Sequence, residues 1–214
     1  MIYGPQQLSG EIAVAGAKNA ALKAIPAALL TEGTTILRNV PQIQDVRVML
    51  DIIKELGARV HENGHEVRID SSTLKSARIG SELASKARTS VMLIGPLLTR
   101  FGEVTIGHPG GCVIGRRPID QFLEGFKALG VKVEDTGEGY CFRAAQLVGS
   151  TYFFPFVSVT ATESLMMAAS RASGITILKN AAGEPEIKAL ADYLNQCGAK
   201  ISGAGTNTIA IEGV

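Results

Sequence analysis

GTTI at residues 33–36 recurs as GEVTI at residues 102–106 and as GITI at residues 174–177. The leading glycines are spaced by 102 − 33 = 69 and 174 − 102 = 72 residues. Each stretch follows an apolar helical run and precedes a second helix that ends at a glycine. A period of about 70 is too long for a solenoid repeat and is typical of a compact βαβαββ module. The chain therefore contains three copies of one module.

The second helix of each repeat carries apolar residues at i, i+3, i+4, i+7 and i+10, which predicts one buried face. These residues are Val46, Met49, Leu50, Ile53 and Leu56, then Ile119, Phe122, Leu123, Phe126 and Leu129, then Ile187, Leu190, Ala191, Leu194 and Cys197. By this pattern Cys197 is a small core residue. The terminal glycines suit left-handed C-caps and are Gly57, Gly130 and Gly198.

The first helix of each repeat is apolar on nearly all sides, which predicts burial between layers. Three such modules form one α/β domain most economically, with buried helices and outer sheets. We expect this domain at residues 15–214. The expected repeats lie at about 15–70, 85–145 and 157–213, and the strand-like run 7–14 precedes them in an N-terminal segment, residues 1–14.

Composition excludes several classes of protein. Of the 214 residues, 46% are apolar, and the formal net charge is only +1, so a disordered chain or a broad nucleic-acid or membrane surface is not expected. Three cysteines without C-x-x-C spacing favour neither a disulfide framework nor a zinc site. No secretory signal or membrane span is evident. We expect a cytoplasmic protein with no metal and no cofactor.

The middle repeat is longer between its two marker glycines, with 130 − 102 = 28 residues against 57 − 33 = 24 in the first repeat. The additional residues fall in the loop HPGGCVIGRRP at residues 108–118. Its glycines let the backbone approach a ligand, its arginines can fork onto phosphate, and positive potential activates the Cys112 thiol. This loop is the main candidate site, and the alternative is an ordinary surface turn.

A second candidate site combines the N-terminal ends of the three first helices. The repeat register makes Lys18 and Asn19 equivalent to Arg88 and Thr160. Helix N-termini attract anions, so a lysine and an arginine gathered there predict an anion site. The alternative is that both cations are solvated charges near helix starts.

Several motifs together resemble the UDP-N-acetylglucosamine enolpyruvyl transferase family of the EPSP synthase-like superfamily. They are GAKNAAL at 16–22, GPLL at 95–98, PGGCVIG at 109–115, RPID at 117–120 and GAKISG at 198–203. The resemblance implies two inside-out α/β barrel domains, each of three βαβαββ repeats. It also implies transfer of the enolpyruvyl group of phosphoenolpyruvate to the 3-hydroxyl of UDP-N-acetylglucosamine with release of phosphate. That reaction is the first committed step of peptidoglycan synthesis, and so serves cell wall biogenesis, cell shape and cell division.

The same resemblance implies roles for individual residues. Cys112 would be the general acid and the thiol alkylated by fosfomycin, with Lys18 and Arg117 as further catalytic residues. The implied substrate-binding residues are Lys18, Asn19, Arg88, Arg117, Pro118, Ile119, Asp120, Gln121, Ser158, Val159 and Thr160. This chain departs from the family pattern at Lys23, Phe122, Thr160 and Gly183.

Chain length also departs from the family pattern. The family's chain is about twice as long, so the resemblance implies a missing second domain, to which residues 1–14 would belong, and little turnover by this chain alone. Two other functions stay open. One is a non-catalytic domain that binds anions or sugar nucleotides, and the other is a relative of 3-phosphoshikimate enolpyruvyl transferase.

Overall fold

A computed structural model describes residues 4, 5, 7, 9–110 and 119–214 of the chain. The first repeat comprises α1 (Lys18–Ala27), a short 3-10 helix (Ala28–Leu30), β1 (Thr34–Leu37), α2 (Gln44–Glu55), β2 (Arg59–Asn63) and β3 (Glu66–Asp70). Its antiparallel sheet has the strand order β1-β3-β2. The β2–β3 hairpin turns at the predicted Asn63-Gly64 dipeptide, where Gly64 has a φ of 57° that suits a tight turn.

The other two repeats add a leading strand. The second comprises β4 (Arg78–Ile79), α3 (Ser81–Lys86), a 3-10 helix (Arg88–Leu93), α4 (Ile94–Phe101), β5 (Glu103–Gly107), α5 (Asp120–Ala128), β6 (Lys132–Asp135) and β7 (Gly139–Arg143). The third comprises β8 (Thr151–Phe153), α6 (Val159–Ala169), β9 (Ile175–Lys179), α7 (Pro185–Gln196), β10 (Lys200–Ser202) and β11 (Thr208–Glu212).

Strand pairing in the second and third repeats follows the predicted βαβαββ order. β4 pairs with β5 and β8 pairs with β9 in parallel, which requires the crossover helix between them. The remaining pairs are antiparallel, giving sheets ordered β4-β5-β7-β6 and β10-β11-β9-β8. These two repeats therefore begin at Arg78 and Thr151, before the starts at about residues 85 and 157 that were expected from their first helices.

The first helices lie inside, as predicted. Residues 161–169 of α6 are all buried, and so are residues 94–98 of α4. Glycines let these helices approach closely: a Cβ at Gly125 of α5 would lie 2.2 Å from Cδ1 of Leu165, and one at Gly95 would lie 3.1 Å from the Ser164 carbonyl oxygen. Buried helices and outer sheets confirm the predicted α/β architecture.

Burial of the second helices also follows the predicted face, with one exception. Leu56 and Leu129 at the helix ends are 1% exposed, but the equivalent Cys197 is exposed, so its assignment to the core was wrong. The thiol is smaller than a leucine side chain and borders an open groove that Leu30 and Arg171 also line. The other cysteine outside the loop, Cys141, is buried.

The N-terminal segment packs loosely. Residues 9–17 form neither helix nor strand, and Ile12 and Val14 are 92% and 89% exposed. Within the part of the chain that the structure describes, no helix is long and apolar enough to span a membrane.

Candidate functional site

The N-terminus of α1 presents backbone donors without a cap. Ala17 at the N-cap position offers no side-chain oxygen, and the first turn contains no acidic residue. The preceding chain is held close to a neighbouring loop, because a Cβ on Gly16 would overlap the Asn39 carbonyl oxygen. The amide groups and the positive end of the helix dipole can therefore bind an anion here.

Two side chains from the first turn of α1 extend this site. Lys18 is 54% exposed and forms an ion pair with Asp45 in the first turn of α2. Asn19 donates a hydrogen bond from Nδ2 to Oε1 of Glu186 at 2.9 Å. Both predicted residues thus lie at the surface, and each contacts a carboxylate of this chain. An incoming anion has to compete with these carboxylates.

A groove of about 400 Å³ joins the starts of α1 and α7. It is lined by residues 17–20 and by Pro185, Glu186 and Ala189. The backbone amide of Glu186 and the Asn19 side chain hold the pKa of the Glu186 carboxyl below its usual range. Its volume can accommodate a small ligand beside the uncapped helix end.

The N-terminus of α6 contains the predicted residues Ser158, Val159 and Thr160, all half-buried. The Ser158 hydroxyl caps the helix by accepting a hydrogen bond from the Ala161 amide at 3.4 Å. Thr162 donates to the Ser158 carbonyl at 2.8 Å and accepts from the Ala182 amide at 3.1 Å. These bonds connect α6 to the segment that leads into α7.

The start of α5 positions three further predicted residues. Ile119 is its N-cap residue and Asp120 is exposed in its first turn. Gln121 is buried, and its side-chain amide has no hydrogen-bond partner among the described residues. Arg88 is half-buried at the start of the 3-10 helix that leads into α4. Cys112, Arg117 and Pro118 of the candidate loop lie outside the described residues.

Phe122 occupies the apolar face of α5, where the family pattern led us to expect another residue type. Its ring centroid lies 4.9 Å from that of Phe126 and 6.4 Å from that of Phe142, and the side chain is 4% exposed. This position packs the helix against its sheet, as the apolar periodicity predicted.

A buried ion pair that was not expected from the sequence joins α1 to α6. Lys23 Nζ of α1 lies 3.2 Å from Oε2 of Glu163 on α6, and the two side chains are 8% and 0% exposed. Neither Glu163 oxygen has a hydrogen bond of good geometry in the described structure. The pKa of Glu163 is raised to about 7, mainly by burial and also by repulsion from Glu186 and Glu184, against the attraction of Lys23. The available signal was a single charged residue within each apolar run, Lys23 in the run 20–30 and Glu163 in α6.

Within residues 9–110 and 119–214, no three His, Cys, Asp or Glu side chains group in a way that could hold a metal ion. The described groups instead support anion binding, through Lys18, an amide side chain and an uncapped helix end. A phosphate or a carboxylate is the chemistry that such donors recognise.

Curated proteins match the chain over its whole length. The chain is 46% identical over 215 residues to the UDP-N-acetylglucosamine 1-carboxyvinyltransferase of Dichelobacter nodosus, and 49% identical over 215 residues to UDP-N-acetylglucosamine 1-carboxyvinyltransferase 2 of Carboxydothermus hydrogenoformans. Each match covers 100% of this chain and 51% of the relative. The chain thus spans about half the length of the curated relatives it matches.

Solved structures show the same fold. The enolpyruvyl transferase NikO from Streptomyces tendae superimposes with a TM-score of 0.86 at 22% identity, over 100% of this chain and 50% of that one. An EPSP synthase from Acinetobacter baumannii gives a TM-score of 0.77 at 20% identity, over 95% of this chain and 47% of that one. At these identities the likeness concerns the fold.

A match to a family model shows which protein family the chain belongs to. The model for EPSP synthase (3-phosphoshikimate 1-carboxyvinyltransferase) matches residues 2–214, which is nearly the whole chain. The three repeats with buried helices agree with the fold of the solved relatives. The chain therefore belongs to the EPSP synthase family.

Proposed function

We propose that this chain forms one half of a UDP-N-acetylglucosamine 1-carboxyvinyltransferase. The observation that carries the proposal is the 44–49% identity, over the whole chain, to curated proteins of that name. The enzyme would move the enolpyruvyl group of phosphoenolpyruvate to the 3-hydroxyl of UDP-N-acetylglucosamine and release phosphate. Its product would enter peptidoglycan synthesis in the cytoplasm, and the second domain of the same enzyme would be the partner.

The proposed reaction needs a proton donor and fixed positive charge. The sugar hydroxyl gives its proton to a base, proposed to lie in the second domain, as its oxygen bonds to C2 of phosphoenolpyruvate. The C3 methylene of phosphoenolpyruvate takes a proton from the Cys112 thiol, which we propose as the acid. Loss of phosphate and of a C3 proton then restores the double bond. Charge develops near C2 and on the phosphate, so the uncapped start of α1 with Lys18 and Asn19 suits phosphoenolpyruvate.

The other predicted site residues fit the same proposal. Arg88 and Arg117 would contact charged substrate groups, while residues 118–121 and 158–160 would contact the sugar nucleotide. The positions of those site residues that the structure describes support this proposal. Arg88, Asp120 and Thr160 each lie at or next to the start of a helix. Helix starts favour the negative charge that both substrates carry.

A 3-phosphoshikimate acceptor is the alternative within this family. The EPSP synthase structure from Acinetobacter baumannii is only 20% identical to this chain, against 46% for the Dichelobacter nodosus relative. The difference in identity favours the sugar nucleotide as acceptor.

Substitution of Lys18 by alanine is expected to weaken phosphoenolpyruvate binding by about tenfold or more, because a charge-assisted contact with the ligand is lost. The measurement is a titration of the isotopically labelled chain with phosphoenolpyruvate, followed through the backbone amide resonance of Asn19, which wild type and variant share. Lys132→Ala, at an exposed position of β6, is the matched control and should retain wild-type affinity. Equal affinity in wild type and Lys18→Ala would remove this residue from the site.

A further inference from the structure

The Lys23–Glu163 pair lies where a charge is costly. α1 and α6 are the innermost helices of the first and third repeats. Apart from Glu163, all residues of α6 from 161 to 169 are uncharged, and all are buried. Transfer of two charges from water to such surroundings is expensive, and a contact of 3.2 Å without a well-aligned hydrogen bond recovers only part of that cost. Apolar residues of similar volume often stabilise a core as well or better.

The pair is connected to the groove through both helices. Asn19 precedes Lys23 by four residues on α1, so the two side chains share one face of the helix. Asn19 bonds to Glu186, whose carboxylate is attracted by Lys23 and repels Glu163. Thr162, next to Glu163, accepts a hydrogen bond from the Ala182 amide, in the segment before α7. One cluster of contacts therefore joins α1, α6 and the start of α7.

Lys23 is a positive charge among the carboxylates of this cluster. The carboxylates of Glu184 and Glu186 repel that of Glu163, and Lys23 is the cation that contacts the buried Glu163. One oxygen of Glu184 is buried without a hydrogen bond among the described residues. Without the ammonium group, repulsion would move Glu186 away from its position beside Asn19.

We propose that Lys23 and Glu163 are positioning residues, which hold Asn19 and Glu186 at the groove by fixing the first turns of α1 and α7 against α6. The pair contacts no ligand itself. It acts on the substrate through Asn19, so the effect on binding rests on the proposed function. The positions of Asn19 and Glu186 do not depend on that function.

The test separates positioning from stability with a double variant of the full chain, Lys23→Met with Glu163→Met. This change removes both charges and keeps apolar volume in the core. We expect wild-type or higher thermal stability, but a displaced Asn19 side-chain amide resonance in the ligand-free chain. We also expect about fivefold weaker binding of phosphoenolpyruvate. Lys188→Met, which breaks the exposed Lys188–Asp192 pair of α7, should leave both readouts unchanged.

Two results would overturn the proposal. One is a stable double variant with a wild-type Asn19 resonance, and the other is a loss of phosphoenolpyruvate binding that only accompanies a loss of stability. If the double variant does not fold, Lys23→Gln replaces it, because this change removes the ammonium group on which the position of Glu186 depends and keeps most of the side-chain length. Its unaltered Asn19 resonance would overturn the proposal equally. If wild type does not bind phosphoenolpyruvate, the proposed function fails, while the ligand-free resonance still tests the positioning role.

Discussion

The free energy of unfolding is expected to fall by about 3 kcal/mol as the pH rises from about 4.5 to above 7, because of Glu163 alone. Burial raises the pKa of this carboxyl from 4.5 in the unfolded chain to about 7 in the folded one. The folded state therefore holds the proton more tightly. The stabilising contribution of Glu163 is complete when the pH is below its pKa in the unfolded chain, 4.5. It is lost as the pH rises through its pKa in the folded chain, about 7. A difference of 2.5 units corresponds to about 3 kcal/mol.

Chemical denaturation at a series of pH values measures this effect. Carboxyls whose pKa is lowered, such as those of Asp70 and Glu103, act in the opposite direction at lower pH, so the comparison is made with Glu163→Gln. We expect the fall between pH 4.5 and 7 to disappear in that variant. Glu82→Gln, at an exposed carboxyl paired with Lys86, should keep it. Identical pH profiles for wild type and Glu163→Gln would contradict the burial of an ionisable Glu163.

Substitution of Phe126 by alanine is expected to lower the free energy of unfolding by about 4 kcal/mol. Phe126 is fully buried on the inner face of α5, with ring centroids 4.9 Å from Phe122 and 5.6 Å from Phe142 of β7. Truncation removes buried apolar surface and leaves a cavity between helix and sheet, which closely packed neighbours cannot fill. Urea denaturation monitored by circular dichroism measures the loss.

The matched control is Phe153→Ala on β8, where the phenyl ring is 61% exposed. We expect this variant to change the free energy of unfolding by less than about 1 kcal/mol, because little buried surface is lost. A loss below 1 kcal/mol for Phe126→Ala would show that α5 does not pack against its sheet through this face.

Periodicity made most of the fold predictable. Apolar residues at helical spacing identified the buried faces of α2, α5 and α7, and uniform apolarity identified the inner helices α1, α4 and α6. Short strands were harder to predict, since the two residues of β4 and the three of β8 are too few to show alternation. Cys197 was assigned by its register, but its smaller side chain leaves the position open to a groove.

The candidate site was predictable in its positions and less so in its contacts. Repeat register located Lys18, Arg88 and Thr160 at helix starts without any structure. The carboxylates that contact Lys18 and Asn19 come from α2 and α7, 27 and 167 residues away along the chain, so no local pattern indicates them. The Lys23–Glu163 pair, 140 residues apart, was missed for the same reason.

The central claim is the proposed transfer of an enolpyruvyl group, and mass spectrometry of the reaction products tests it most directly. The chain is combined with the unmatched half of the Carboxydothermus hydrogenoformans relative, phosphoenolpyruvate and UDP-N-acetylglucosamine. We predict a sugar nucleotide carrying one carboxyvinyl group, an equal amount of phosphate, and loss of both with Cys112→Ala. Shikimate 3-phosphate should give no product. Absence of the carboxyvinyl sugar nucleotide, with both halves folded and associated, would contradict the account.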